Sequence, residues 1–312
     1  MAKNVWSEPS GAGLGLRVAT ALALVYVVWG TTYFAIGVAL KEISPLWLNA
    51  SRFTVAGVLM LLWALARGER LPGWRLLAHA AIVGGFMVSL AMNFVVFAQR
   101  AGIGSGLMAT VVTTMPLWLT LWSRIGGAPV SRRTWTGLVL GVLGAVLLAL
   151  ERDFSATPLG ALLAFGAPLA WSLGSHASRR LEQPTPGVGA AVQWLVGGLV
   201  CAGMALAFEP VPDPAHWSLE TLSAWLYLLL LGTLVTLNAY LWLLQHTSAA
   251  LAGSYSFVNP AVALLLGALI GGEHLDGWVM LALPLILLAL VLILLPARNR
   301  SPAASALLRP AR

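Results

Sequence analysis

Uncharged, apolar runs of about 20 residues recur along the whole chain, and they restrict its fold more than any other feature. The run VYVVWGTTYFAIG, from Val25 to Gly37, is one of them. A helix of roughly 20 mostly apolar residues crosses the hydrocarbon core of a bilayer. Only 9% of the residues are charged, whereas soluble domains carry about 25%. The sequence therefore predicts an all-α membrane protein with little room for a soluble domain.

Charged residues, prolines and glycines divide the apolar sequence into ten candidate transmembrane helices. The predicted spans are 18–40, 46–66, 76–98, 102–122, 134–150, 158–178, 188–208, 221–243, 249–270 and 277–295. The first span is long and others follow it, so we expect it to remain in the membrane instead of being cleaved as a signal peptide.

The distribution of basic residues predicts the orientation of the spans. If the amino terminus is cytoplasmic, only Lys41, Arg100 and Arg152 of the 18 Lys and Arg residues fall in outer segments, and Arg52 falls within a span. Basic residues favour cytoplasmic segments. Both termini are therefore predicted to be cytoplasmic, with residues 1–17 and 296–312 as short tails.

The formal charge of +7 does not indicate a nucleic-acid partner, because the basic residues are scattered in small groups between apolar spans. Cys201 is the single cysteine, so an intrachain disulfide is impossible. The sequence contains no HExxH, no clustered Cys and His, and no paired carboxylates within the spans. We therefore expect no catalytic residues, no metal site and no cofactor, and an intramembrane enzyme is a rival hypothesis with a low prior.

Spans six to ten resemble spans one to five in the order of their motifs, which favours an internal duplication. The matched features are WGTTYF at Trp29 with WSLGSH at Trp171, RFTVAG at 52–57 with QWLVGG at 193–198, Asn93 with Asn238, and Pro116 with Pro260. Because each unit has five spans, an odd number, the second copy is predicted to be inverted in the membrane. Inverted repeats around a midplane site are typical of secondary transporters.

Three stretches carry a resemblance to a known family: YVVWGTTYFAIG, PLWLNASRFTVAGVLMLL and NPAVALLLGALIGGEHL. With the duplicated ten-span plan, they make the sequence similar to the EamA-type branch of the drug/metabolite transporter superfamily, over roughly residues 18 to 295. The resemblance implies two EamA-like repeats, at 18–150 and 158–295, in the inner membrane. It also implies export of amino acids, other metabolites or toxic compounds through a cavity between the halves.

One feature departs from the family pattern. Such families often place an acidic residue after both the fourth and the ninth helix. Glu273 follows the ninth predicted span, but the matching place after the fourth reads GGAPV, at residues 126–130. A structural pairing at that position is therefore expected in one half only.

Aromatic and polar residues in the middle of the first span are the main candidates for substrate binding. Trp29, Thr32 and Tyr33 lie too deep for the interfacial belt that collects many tryptophans. Trp171 holds the related place in span six. Aromatic walls with a few polar groups suit a small, partly apolar ligand, although close helix packing is the alternative for this segment.

Buried amides and one arginine extend the candidate site. Asn93 and Asn238 either bind substrate or bridge helices, because unsatisfied polar groups in a membrane are costly. Arg52 either attracts a substrate carboxylate or has a structural role, in which it extends toward the outer interface or ties helices together, and the structural role is slightly favoured. Pro116 and Pro260 interrupt matching helices and are candidates for gating, with fixed bends as the alternative.

These features together predict an inner-membrane exporter of small metabolites that works by alternating access. Aromatic or apolar amino acids are the leading substrate class, and multidrug or other metabolite export is the alternative. A channel is the remaining rival, because a pore and an alternating cavity use similar residues. The expected partners are the lipid bilayer and a small-molecule substrate, and the protein is expected to be a monomer or a homodimer.

Overall fold

The computed structural model describes residues 11–149, 157–262 and 277–294, and these residues form ten helices and no strand. The helices are α1 (Gly11–Ala39), α2 (Pro45–Ala66), α3 (Trp74–Arg100), α4 (Ser105–Val112 with Met115–Ile125), α5 (Arg132–Ala149), α6 (Pro158–Arg180), α7 (Pro186–Phe208), α8 (Leu219–His246), α9 (Ala249–Gly253 with residues 255–262) and α10 (Gly277–Leu294). Six of them, α1, α2, α3, α6, α7 and α8, are long and apolar enough to cross a membrane. The predicted all-α membrane architecture is thereby confirmed.

The described helix ends lie within three residues of the predicted spans except at the start of α1, and α4 and α9 are each interrupted, α9 at Ser254. α1 begins at Gly11, so the described end of the predicted amino-terminal tail is already helical. α4 is interrupted at Thr113 and Thr114, whose hydroxyls donate to the carbonyls of Thr110 and Val111. Hydroxyls that bond to their own helix compete with the regular ladder, and hydropathy alone does not reveal them. Residues 1–10, 150–156, 263–276 and 295–312 of the predicted spans and tails lie outside the described residues, and so does Glu273, for which a pairing in one half only was expected.

α3 and α8, the third helix of each half, both contain a π-helical segment. The segments are Gly85–Ala91 in α3 and Leu228–Val235 in α8. A π-segment is rare and is frequently found at a functional site, because it widens the helix and redirects its carbonyls. The same irregularity at the same place of both halves supports the duplication predicted from the sequence motifs.

α2 and α7, which carry the matched motifs RFTVAG and QWLVGG, pack closely and run antiparallel. A Cβ on Gly57 would lie 2.8 Å from the backbone nitrogen of Leu195, and one on Gly198 would lie 2.5 Å from that of Thr54. Gly57 and Gly198 hold equivalent positions in the two motifs, and so do Thr54 and Leu195. The two contacts are therefore equivalent under the internal repeat. Small residues permit such close helix approach in a membrane.

Two carboxylates join the ends of α2 and α7 in a reciprocal way. Glu209, after α7, accepts the backbone N–H groups of Leu46 and Trp47 at the start of α2. Glu69, after α2, accepts the N–H of Val188 in the first turn of α7 at 2.9 Å. A carboxylate at a helix amino terminus satisfies unpaired donors and interacts favourably with the helix dipole. Each half therefore caps a helix of the other.

α5 and α10 repeat this antiparallel arrangement. A Cβ on Gly137, near the start of α5, would lie 3.0 Å from Ile293 near the end of α10. One on Gly144, two turns later, would meet Ile286, two turns earlier in α10. These two glycines therefore permit close packing of α5 against α10.

The helix ends gather at two faces of the molecule, which we call the basic face and the acidic face after the charged residues near the helix ends there. At the basic face, His79 of α3 meets the carbonyl of Glu182 after α6, and Arg179 donates to the carbonyl of Thr247 after α8. At the acidic face, Glu42 after α1 accepts the N–H of Ser218 at the start of α8. The basic face holds the α2–α3, α4–α5, α6–α7 and α8–α9 connections, and the acidic face holds the α1–α2, α3–α4 and α7–α8 connections.

Candidate functional site

A central cavity of about 70 Å³ lies between the two halves, with walls from α1, α2, α3, α4, α6, α8 and α9. A water molecule needs about 10–15 Å³ of such space, so the cavity has room for several. Its lining is mostly apolar and aromatic, with a few polar groups, which is typical of small-molecule sites. The lining residues include Trp29, Thr32, Tyr33, Arg52, Phe53, Trp171, Thr233 and Tyr255.

Four aromatic rings pack against one another at one end of this cavity. Trp29 contacts Trp171, Tyr240 and Tyr255, with ring centroids 5.4, 5.1 and 4.8 Å apart. Tyr240 also contacts Trp171 and Tyr255. These rings come from α1, α6, α8 and α9, and we refer to them as the ring cluster. It closes the cavity toward the basic face, since Tyr240 lies one to two turns from the end of α8 at that face.

Hydrogen bonds fix the orientation of the ring cluster. The indole Nε1 of Trp29 donates to the carbonyl oxygen of Gly232, in the π-segment of α8, at 3.0 Å. The hydroxyls of Tyr240 and Ser175 are 2.8 Å apart, which ties α8 to α6. A buried indole or phenol normally finds a polar partner. The π-segment thus supplies the carbonyl that holds Trp29 across the junction of the halves.

Thr32 and Tyr33 continue the α1 wall on the other side of Trp29. The Thr32 hydroxyl donates to the carbonyl of Trp29, and its methyl group lies against Gly232. Tyr33 lines the central cavity and also a second cavity of about 520 Å³ at the acidic face, which Gln99 and Glu220 share. The sequence-predicted residues Trp29, Thr32, Tyr33 and Trp171 therefore all lie at the central cavity.

Arg52 of α2 lies at the cavity wall and does not extend to the outer interface. Its side chain is only 3% exposed, and it lines the central cavity next to Phe53. One guanidinium nitrogen donates to the side-chain oxygen of Asn49 at 3.4 Å, while its Nε has no hydrogen-bond partner among the described residues. No carboxylate in the described ranges forms an ion pair with Arg52, and none lines the cavity. Its position thus differs from the outward extension, one of the two structural roles that the sequence slightly favoured.

A polar network supports Arg52 from behind. Asn49 donates from its amide nitrogen to the side-chain oxygen of Asn93 at 2.9 Å. Asn93 in turn donates to the sulfur of Cys201 on α7 at 3.3 Å. All of these groups are buried. The network joins α2, α3 and α7 and holds the guanidinium at the cavity wall.

The predicted amides lie beside the cavity instead of lining it. Asn93 is occupied by Asn49 and Cys201, and Asn238 donates to the carbonyl of Leu234 in its own helix at 2.8 Å and approaches the sulfur of Met60. Of the two readings given for these residues, this geometry favours helix bridging. Direct substrate binding by either amide stays a prediction.

The two prolines lie in unequal surroundings. Pro116 begins the second part of α4, where a missing N–H costs little, and packs against Gly253 of α9 at about 3.1 Å from the position of a Cβ there. Pro260 is buried within helical residues 255–262. α4 and α9, the fourth helix of each half, therefore meet at Pro116 and Gly253. The proposed part of Pro116 and Pro260 in gating stays a prediction.

Several residues that shape the site were not predicted from the sequence. Tyr255 and Phe53 lie at the cavity, and Tyr240 completes the ring cluster. Asn49 was missed as the neighbour that joins Arg52 to Asn93. The spacing of Asn49 and Arg52, one helical turn apart, is a signal that could have linked them. Among the described residues, no three His, Cys, Asp or Glu residues gather to hold a metal ion.

Comparison with known proteins shows the family. The EamA-like transporter family matches residues 16–150 and 158–295, so each half of the chain is one copy of the family's domain. The chain is 36% identical over 278 residues to the "Uncharacterized inner membrane transporter YedA" of Escherichia coli (strain K12), covering 88% of this chain and 90% of that protein. It is 29% identical over 275 residues to "Protein PecM" of Dickeya dadantii (strain 3937), covering 85% and 88%.

A solved structure described as "Crystal structure of protein" has the same fold. It superposes with a TM-score of 0.73 at 24% sequence identity and covers 91% of this chain and 96% of that chain. The family match spans both halves, and the predicted resemblance is confirmed. The chain belongs to the EamA-like transporter family and is a multi-pass inner-membrane transporter, not an enzyme.

Proposed function

We propose that the protein exports small amphiphilic metabolites that carry a carboxylate, with aromatic or apolar amino acids as the leading class. The observation that carries this proposal is the buried Arg52 at the wall of the central cavity, which has no ion-pair partner among the described residues. A positive charge within a membrane span costs up to about 2.5–3.5 kcal/mol, the value on insertion scales for the centre of a helix. A substrate carboxylate that reaches the guanidinium offsets this cost, and a bidentate pair adds geometric specificity.

The rest of the wall suits the apolar part of such a substrate. Trp29, Phe53, Trp171 and Tyr255 present ring surfaces to the cavity. The hydroxyls of Thr32 and Thr233 and the carbonyl of Gly232 provide acceptors for an ammonium group. An aromatic or apolar amino acid presents these three chemistries together. Its side chain packs on the rings, while its carboxylate faces Arg52.

Transport by alternating access follows from an inverted arrangement of the halves, which we propose on three grounds. α2 and α7 run antiparallel and cap each other with Glu209 and Glu69. α5 and α10 also run antiparallel. Each half has five helices, so consecutive crossings leave the second copy inverted. Two inverted copies open alternately to the two sides of the membrane around a fixed site.

We propose that the basic face is cytoplasmic and that both termini lie there, because basic residues favour cytoplasmic segments. In the conformation described, the ring cluster separates the central cavity from the basic face. On the acidic side, Tyr33 alone lines both the central cavity and the cavity beyond it. Substrate enters when the rings part and leaves when Tyr33 moves aside. The small volume of the central cavity then reflects closure on both sides.

Counterflow in proteoliposomes tests this proposal. Vesicles are loaded with unlabelled phenylalanine, and entry of labelled phenylalanine is followed. We expect entry to be several-fold faster than into unloaded vesicles, because the carrier returns loaded. An Arg70→Gln variant, which removes an exposed arginine of the basic face, should behave as the wild type.

Entry that is fast but independent of internal substrate would indicate a channel and would contradict the proposal. Transport of apolar cationic drugs in preference to phenylalanine would instead favour multidrug export. Both outcomes would leave the family assignment intact, since that rests on the sequence match.

A further inference from the structure

A third cavity, of about 580 Å³, lies at the basic face between the two halves. It is lined by α4, the α4–α5 connection, the starts of α5 and α9, and the ends of α6 and α10. Its polar lining residues include Thr120, Arg133, His176, Arg179 and Arg180. We refer to it as the basic pocket. It is distinct from the central cavity, with which it shares no lining residue.

Three guanidinium groups converge on the basic pocket, and no Asp or Glu is among its described lining residues. Arg179 donates to the carbonyls of Leu244 and Thr247, and Arg180 donates to the carbonyl of Gly126. These backbone acceptors fix the side chains of Arg179 and Arg180 but are neutral, so they leave the positive charges of these two residues in place, and the charge argument rests on these two. A cavity with one sign of charge concentrates ligands of the opposite sign.

A buried hydroxyl adds a second, independent observation. Thr120 of α4 is only 2% exposed and lines the basic pocket. Its Oγ1 has no hydrogen-bond partner among the described residues. A buried polar group without a partner is uncommon in a folded protein and calls for an explanation. A ligand oxygen in the pocket would supply the missing hydrogen bond.

The rule that places basic residues in the cytoplasm does not by itself explain this convergence. Arg124, in the last turn of α4, and Arg132, the first residue of α5, flank the same connection, and both lie outside the pocket lining. They satisfy the orientation rule equally well. The difference between Arg132 and its neighbour Arg133 is therefore one of local geometry.

We propose that the basic pocket binds the carboxylate or phosphate group of a small anion at the cytoplasmic side. Arg179 lies one turn from Ser175, whose hydroxyl meets that of Tyr240 in the ring cluster. The pocket thus ends near the ring cluster, on the opposite side from Arg52. An anion held there is placed to pass Arg52 when the rings part. This loading role rests on the proposed export function, whereas anion binding itself does not.

Residue-resolved arginine labelling tests the site without requiring transport. The full chain in phosphatidylcholine nanodiscs is treated with phenylglyoxal, and the rate at each arginine is read from peptide masses. Sodium benzoate or inorganic phosphate is then added, with sodium chloride at equal ionic strength as the reference. We expect modification of Arg180 and Arg133 to slow several-fold, while Arg124 and Arg132 are unchanged. Arg124 and Arg132, which lie outside the pocket lining, are internal controls in the same molecule.

A second arm identifies the source of the anion. Nanodiscs that contain phosphatidylglycerol, without soluble anion, should leave Arg180 unprotected if the pocket takes a soluble ligand; protection there would assign the site to a lipid headgroup. Arg133→Gln should reduce protection of Arg180 by benzoate, and Arg132→Gln should not. Equal slowing at all four arginines, or none at Arg180 with any of the three anions, would overturn the proposal. Failure of counterflow with protection intact would remove only the loading role.

Discussion

The indole of Trp29 on α1 and the carbonyl of Gly232 on α8 are joined by a 3.0 Å hydrogen bond. This bond crosses between the two halves of the chain at the central cavity. Its acceptor lies within the π-segment Leu228–Val235, an irregular part of α8 of a kind frequently found at functional sites. Any change of cavity shape that moves α1 against α8 must alter this contact.

Substitution of Trp29 by Phe should therefore impair transport more than its loss of volume suggests. The ring packing is largely kept, but the carbonyl of Gly232 loses its donor, at a cost of about 1–3 kcal/mol. We expect a lower unfolding midpoint in detergent and a reduced counterflow rate. Trp63→Phe, at a half-exposed tryptophan near the end of α2, is the matched control and should change neither. Equal behaviour of the two variants would contradict the assigned role of Trp29.

Close contact of α2 and α7 predicts opposite effects for two glycines of the same helix. In Gly198→Ala the new Cβ would lie 2.5 Å from the backbone nitrogen of Thr54, so overpacking should destabilise the protein by about 1–3 kcal/mol. Gly203→Ala meets nothing within 4 Å and should stabilise α7 by about 0.5–1 kcal/mol. Thermal unfolding in detergent measures both. Similar midpoints for the two variants would refute the packing.

Loss of the carboxylate at Glu209 should loosen the start of α2. Its two oxygens accept the N–H groups of Leu46 and Trp47 at 3.1–3.2 Å, and removal of such a cap costs about 0.5–2 kcal/mol. Glu220→Ala removes an exposed ion pair with Lys41, which is worth less than about 1 kcal/mol. We expect faster hydrogen exchange at the start of α2 in Glu209→Ala only. A larger effect of Glu220→Ala would argue against the cap.

Acid should open the junction of α1 and α8 at the acidic face. The N–H of Ser218 donates to Glu42 at 2.8 Å and lowers the pKa of this carboxyl below its ordinary value. Because the folded-state pKa is lowered, the contact stabilises the folded protein fully above the unfolded pKa of about 4.3. This stabilisation is lost as the pH falls through the folded-state pKa. Exchange of the Ser218 amide, corrected for its intrinsic rate, should rise in that range. Glu42→Gln should abolish this pH dependence, and a persisting one would point to another group.

The sequence predicted the helices and part of the site because hydropathy and repeated motifs report them directly. Trp29 and Trp171 were paired from matching motifs, and their rings lie 5.4 Å apart. Tyr240 and Tyr255 could not be assigned in this way, since their contact depends on how α8 and α9 are rotated. The same holds for Asn93, because an amide in a helix can face a cavity or another amide. The position of α2, which brings Asn49 to Asn93, decides between these two placements of the Asn93 amide.

The position of Arg52 shows that the distance of a residue from the end of its helix does not by itself predict where its side chain lies. About two turns from the predicted outer end of its helix, a long side chain can extend to the interface. Whether it does so depends on what lies beside it. Here Asn49 and the ring of Phe53, 4.2 Å from the guanidinium carbon, hold it inward. Neither contact is encoded in hydropathy.

Transport of substrates that differ only in charge tests the role of Arg52 most directly. Uptake of phenylalanine, 3-phenylpropanoate and phenethylamine into proteoliposomes is compared for the wild type, Arg52→Gln and the control Arg70→Gln. We predict that the wild type and the control prefer both carboxylates over the amine by at least about tenfold, equivalent to about 1.4 kcal/mol, and that Arg52→Gln loses this preference. A folded Arg52→Gln protein that still prefers the carboxylates to the same extent would contradict the account.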